Sequence, residues 1–92
     1  MSNVEQVTVH VEFRQQDKVY SLKKVYRGNN LPTVGQLLPV KTPDAYSLTS
    51  YLYEKTVDGR HLKARTITLP SELNIYQFRR FLLENGWKED KK

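Results

Sequence analysis

Between Val7 and Arg14 the chain alternates strictly, with Val7, Val9, Val11 and Phe13 on one side and Thr8, His10, Glu12 and Arg14 on the other. A period of two over that length predicts a half-buried strand. Gln15, Gln16 and Asp17 read as a polar turn, and Lys18 to Arg27 as the returning strand. The alternation of this second strand slips, because Tyr20 and Leu22 share one parity and Val25 has the other. A bulge at Lys23 and Lys24 would return Val25 to the core side and turn both lysines outward, but a simple irregular edge strand is the favoured reading. Gly28-Asn29-Asn30 ends the hairpin.

The next stretch, LPTVGQLLPVKTPD, carries Pro32, Pro39 and Pro43, which excludes a long helix. It is expected to be a connector with one helical turn, capped by Thr33 and stopped by Pro39, dipping Leu37 and Leu38 into the core. Tyr46 to Thr56 and Arg60 to Leu69 then flank Val57-Asp58-Gly59. Asp-Gly between two β-rich runs signals a hairpin, since a type I′ turn needs positive φ at both central residues. A two-residue loop there sets Glu54 opposite Lys63, Tyr53 opposite Ala64, Tyr51 opposite Thr66 and Leu48 opposite Leu69. One face then carries Tyr46, Leu48, Leu52, Ile67 and Leu69, with Glu54, Lys63 and Arg65 near the tip, and is expected to meet the helix. The other carries Thr49, Tyr51, Tyr53, Leu62, Ala64 and Thr66.

Only Asn74 to Trp87 shows a helical period. Ile75, Phe78, Phe81 and Leu82 fall on one side, a core stripe, and Tyr76, Arg79, Arg80 and Leu83 on the side expected to be wet. Asn74 or Ser71 supplies the N-cap, Asn85-Gly86 the stop, and Trp87 folds back on the last turn. The order strand, strand, connector, strand, strand, helix predicts an α+β domain: a four-stranded antiparallel sheet of two hairpins with a C-terminal helix packed on one face. At 92 residues the chain is expected to be a single domain, 1–92, with 1–5 and 88–92 frayed.

Composition narrows the function classes. With 38 % hydrophobic and 27 % charged residues the chain is rich enough in apolar side chains to fold. It has no run of ~20 apolar residues, no apolar signal segment in MSNVEQ and no cysteine, so a cytoplasmic protein without a membrane partner is expected. The net charge of +5 is unevenly placed. Arg14, Lys18, Lys23, Lys24 and Arg27 face Asp17 alone, and Lys55, Arg60, Lys63 and Arg65 face Asp58 alone. Such clusters suit a polyanionic partner, although a merely solvated basic surface would look the same.

The candidate binding residues are accordingly Lys23, Lys24 and Arg27 on the first hairpin and Arg60, Lys63 and Arg65 on the second. Tyr51 and Tyr53 would stack bases or pack against neighbouring strands. Tyr76, Arg79 and Arg80 form an arginine–aromatic helix face, unless Arg80 is simply paired with Glu84 at i+4. Neither His10 nor His61 has a carboxylate suggested by the sequence, and there is neither a glycine-rich phosphate loop nor a metal-ligand spacing. The expectation is therefore a non-enzyme without cofactor, metal or small-molecule substrate. The phrase LLENGW looks like the helix end of small HicA-type toxins, which would imply RNA cleavage. The chain lacks a histidine after that glycine and opens with strands, so no catalytic residue follows from this likeness.

Over its whole length, this compact, basic, cysteine-free and motif-poor chain resembles the small accessory proteins that phages carry, including anti-CRISPR inhibitors of RNA-guided surveillance complexes. The resemblance implies a steric mechanism in the host cytoplasm, with the protein covering the guide RNA or the cationic groove that target DNA would use. The expected function is thus a basic binding module for a ribonucleoprotein or nucleic acid, RNA favoured. The alternative is a protein–protein module, homodimeric or directed at a host protein.

Overall fold

The computed structural model describes residues 6–41, 47–56 and 60–90. β1 (Gln6–Gln15) and β2 (Lys18–Arg27) form the hairpin that the alternation suggests. Their antiparallel register runs unbroken from Gln6 opposite Arg27 to Gln15 opposite Lys18. The tight turn holds Gln16 at a left-handed φ of 56°. The unbroken register excludes a bulge at Lys23 and Lys24, and β2 is no edge strand, since it lies between β1 and β7 (Lys88–Glu89). Val25 stays on the face away from the core, 42 % exposed, and Lys24 instead shares the side of the buried Leu22. Lys23 and Lys24 therefore point to opposite faces of the sheet.

The connector is also corrected. Leu37 to Lys41 is a strand, β3, not a helical turn, and it pairs antiparallel with β4 (Ser47–Glu54) from Leu37–Tyr51 to Lys41–Ser47. Because β3 is an edge strand, Pro39 costs the sheet no interior hydrogen bond. Leu38 and Val40 are buried, whereas Leu37 is exposed.

β5 (His61–Ala64) pairs with β4 as the Asp-Gly signal suggests, but displaced by one residue from the expected register. Tyr53 lies opposite Lys63, and Leu52 opposite Ala64. The turn residues Val57-Asp58-Gly59 lie outside the described residues. A slip of one residue exchanges the faces of every side chain on one strand. Here it buries Leu62 and Ala64 and moves Lys63 to the face of Tyr53, so core burial outweighs the preference for a two-residue loop.

The largest difference is how the two hairpins meet. β5 and β6 (Ile67–Thr68) both pair with β1 in parallel. β1 sets Val9 opposite Leu62 but Phe13 opposite Ile67, so one extra residue is accommodated between β5 and β6. That bulge, around Arg65 and Thr66, lets Leu62 and Ala64 on one parity and Ile67 and Leu69 on the other all reach the core. The tail contributes β7 (Lys88–Glu89), antiparallel to β2, where fraying was expected.

Among the described residues the result is a seven-stranded, curled mixed sheet of order β3-β4-β5-β1-β2-β7, with β6 also on β1, and one short helix. This overturns the expected four-stranded antiparallel α+β arrangement. The physical reason is β1: as the most apolar strand it sits in the centre of the sheet, with a strand hydrogen-bonded along each edge.

The helix α1 (Ile75–Glu84) covers one face of the sheet. Asn74 caps it by accepting from the backbone N–H groups of Tyr76 and Gln77. Ile75, Phe78 and Leu82 are buried, and Phe78 meets Phe13 edge to face with ring centroids 4.9 Å apart. Gly86 takes the left-handed φ of 95° that ends the helix, and the Trp87 N–H returns to the Leu82 carbonyl at 3.1 Å, burying the indole. No helix among the described residues is long and apolar enough to cross a membrane.

Candidate functional site

Strand alternation and register place five side chains in one row across the face that the helix leaves open. Tyr53 on β4 lies opposite Lys63 on β5, which lies opposite His10 on β1, then Lys23 on β2, then Lys88 on β7. Adjacent strands are ~4.8 Å apart, so the row is a continuous track of three cations and a tyrosine with a histidine at its centre. The side chains of Lys23, Lys63 and Lys88 make no hydrogen bond or ion pair with another described residue. Tyr51, Tyr53, Leu37, Val19 and Val25 share this face and are exposed, so apolar and cationic groups are interleaved. Arg27 extends it at the end of β2.

At the centre of the row, two histidines and an acid are joined. His10 Nδ1 is 2.6 Å from Asp90 Oδ2, and His10 Nε2 is 2.9 Å from His61 Nδ1. Asp90 is held by its own backbone N–H, which donates to the Ser21 carbonyl at 2.9 Å. Burial pushes the His10 imidazole below its ordinary value of 6.5, aided by Lys55 and His61 and against the pull of Asp90. For Asp90, burial acts upward, but the hydrogen bond and charge of His10 with the charges of Lys55 and Lys23 hold it below its ordinary value. At neutral pH the pair is therefore a neutral imidazole and a carboxylate. An ionised carboxylate only accepts, so His10 carries its proton on Nδ1 and its Nε2 must accept from His61 Nδ1–H. That fixes the His61 tautomer too. Its Nε2 is left as a lone pair with no hydrogen-bond partner among the described residues.

The helix side is different. Lys24 lies over the rings of Tyr26 and Trp87 and donates to the Asn85 carbonyl at 3.4 Å, capping the negative end of α1. Arg79 and Arg80, expected together on a wet face, are separated. The Arg79 side chain is 31 % exposed, stacks over Tyr20 and pairs with Glu89 of β7. The Arg80 side chain is 82 % exposed and only meets Glu84 at i+4. Tyr76 sits against Tyr20 with Lys18 over its ring.

Of the residues singled out from the sequence, the fold brings Lys23, Lys63, Arg27, Tyr51 and Tyr53 to the open face. Arg65 lies at the bulge between β5 and β6, and Arg60 directly precedes β5, its carbonyl accepting from the Thr8 N–H at 2.8 Å. Lys24, Tyr76, Arg79 and Arg80 belong to the helix side. Sequence reasoning misses Lys88 and Asp90, counts Lys55 only within a basic cluster, and sets His10 and His61 aside for want of a carboxylate partner. The one local sign is a histidine set between Val9 and Val11 in the most apolar strand; nothing local ties it to Asp90, 80 residues away. Among the described residues no group of His, Asp and Glu is arranged to hold a metal ion. No protein-family model matches the chain, and no curated protein and no solved structure matches it either.

Proposed function

We propose that this protein is a small basic binding module that holds single-stranded RNA, free or within a ribonucleoprotein, on the open face of its sheet. The observation carrying this reading is the cross-strand row Tyr53–Lys63–His10–Lys23–Lys88, whose lysine side chains make no hydrogen bond or ion pair with a described residue. Cations spaced by the sheet repeat suit a phosphate backbone, and Tyr51 and Tyr53 beside them suit stacking, worth ~1–3 kcal/mol per base. The site of action is the cytoplasm. A steric inhibitor of an RNA-guided complex, as the resemblance to phage accessory proteins implies, would work by covering RNA with this face.

Fluorescence anisotropy with a labelled RNA of about 16 nucleotides tests the reading. Affinity should fall steeply between about 50 and 200 mM salt, and Lys23→Ala with Lys63→Ala should weaken binding and flatten that salt dependence together. A second reading, a protein interface, is favoured by the exposed Val19, Val25 and Leu37 on the same face. It predicts no RNA binding, and a partner affinity that is insensitive to salt but lost on Val25→Asp.

A further inference from the structure

We propose that the Asp90–His10–His61 chain is a general-base site for cleavage of the bound RNA, with His61 Nε2 as the base. The proposal rests on the RNA-binding reading of the face and adds chemistry to it.

The geometry points beyond a structural clasp. To tie β7 to the sheet, the hydrogen bond between Asp90 and His10 suffices. His61 adds nothing to that tie, since β5 is already held by β1 on one side and β4 on the other. What the second histidine does add is reach. It carries the orienting effect of a half-buried carboxylate out to a half-buried ring at the row of cations and ends it in a lone pair. An acid that fixes the tautomer of one imidazole, which fixes that of the next, is an arrangement for presenting a base of defined orientation.

The substrate class follows from what such a base meets. A 2′-hydroxyl on RNA donates to His61 Nε2. Transfer of that proton lets O2′ attack the adjacent phosphorus; a P–O2′ bond forms as the P–O5′ bond breaks. The departing O5′ takes a proton from water, and His61 later returns its proton to solvent. The products are a 2′,3′-cyclic phosphate and a free 5′-hydroxyl, with no oxidant, reductant or metal in the balance. Lys55, whose backbone N–H donates to the His61 carbonyl at 3.0 Å, and Lys63, on the same face two residues along β5, flank the base. Both are placed to meet the charge that develops on the phosphate oxygens. His61 is the catalytic residue of this proposal; His10 and Asp90 position it.

The groups facing the chain are Asp90 just after β7, Lys23 from β2, Lys63 from β5, Lys55 after β4, and Glu12 on β1, which accepts from the Thr66 hydroxyl at 3.1 Å. Adding a proton to the histidine pair either occupies Nε2 or reverses the inner hydrogen bond. Both remove the lone pair, so cleavage should fall in acid, as His10 takes up its proton below its ordinary value of 6.5.

The test uses the full chain in EDTA with end-labelled single-stranded RNA, the same sequence as DNA, and the same sequence 2′-O-methylated. Binding is followed by anisotropy and cleavage by gel and product-end analysis. The expected result is cleavage of RNA alone to cyclic-phosphate ends, with the methylated RNA bound but intact. His61→Ala should slow it at least ~100-fold with binding retained. Asp90→Asn should slow it less and move the pH profile, an effect that loss of a clasp alone would not produce. RNA that binds and stays intact overturns the proposal and leaves the binding reading standing, as does cleavage that survives His61→Ala. No binding of any of the three overturns both.

Discussion

The two faces of the sheet carry nearly the same residue types and use them in opposite ways. On the helix side, Lys18, Lys24, Arg79, Tyr20, Tyr26 and Tyr76 are consumed by one another: ammonium over ring, guanidinium over ring, and Arg79 closed onto Glu89. On the open side, Lys23, Lys63 and Lys88 lie among Tyr51, Tyr53 and Val25 without an ion pair to a described residue. A basic–aromatic composition is therefore not itself a binding site. What matters is whether the fold has already satisfied the charges, and register decides that. Lys23 and Lys24 are chain neighbours with opposite fates because one parity of β2 meets the helix and the other meets solvent.

The strongest way to break this contrast is to remove bulk on each side. Leu82→Ala, under the closed face, should cost ~2–5 kcal/mol by chemical denaturation. Val25→Ala on the open face should stay within ~0.5 kcal/mol. Equal losses would mean that the open face is covered in the folded protein.

A smaller effect separates the adjacent arginines. Arg79→Ala removes the stacking on Tyr20 and the ion pair to Glu89, which should lower stability by about 1–2 kcal/mol. Arg80→Ala removes only an exposed i,i+4 pair and should change it by less than ~0.5 kcal/mol. The reverse order would show that the helix side is the open one.

The smallest expected effect is on pH dependence. The folded pKa of His10 lies below its ordinary 6.5, so as pH falls the unfolded chain takes up the proton first. The contribution of His10 is present above about pH 6.5 and is lost as pH drops toward the lowered folded value. Asp90, also lowered, acts in the same direction further down, its contribution lost as pH falls from its ordinary 3.8 through the folded value. Melting temperature measured from about pH 8 to about pH 5 should decline for the wild type and flatten for His10→Gln. Identical slopes would place His10 in an environment no different from water.

How much of this was legible beforehand depends on the range of the interaction. The β1–β2 hairpin and the capped helix rest on neighbours in sequence: alternation, Asn74, Gly86 and Trp87 are all local signals. The register of β4 on β5 was not legible, because the Asp-Gly turn preference competes with burial of Leu62 and Ala64, which depends on a core not yet assembled. The parallel junction of β1 with β5 leaves no local trace at all. With it goes the site, since His10 meets partners 51 and 80 residues away. Clusters of lysine and arginine could be counted from the sequence; the row Tyr53–Lys63–His10–Lys23–Lys88 could not, because each neighbour in it comes from a different strand.

The central claim is that the open face, and not basic charge in general, binds RNA. The direct measurement compares two charge reversals of equal size by anisotropy with the same RNA: Lys23→Glu with Lys63→Glu on the open face, and Lys18→Glu with Arg80→Glu on the helix side. Binding through the open face predicts a loss of more than about tenfold for the first pair, its gap to the wild type narrowing as added salt screens the reversed charges, and little change for the second. Equal losses for both pairs would contradict the claim and reduce the interaction to net charge.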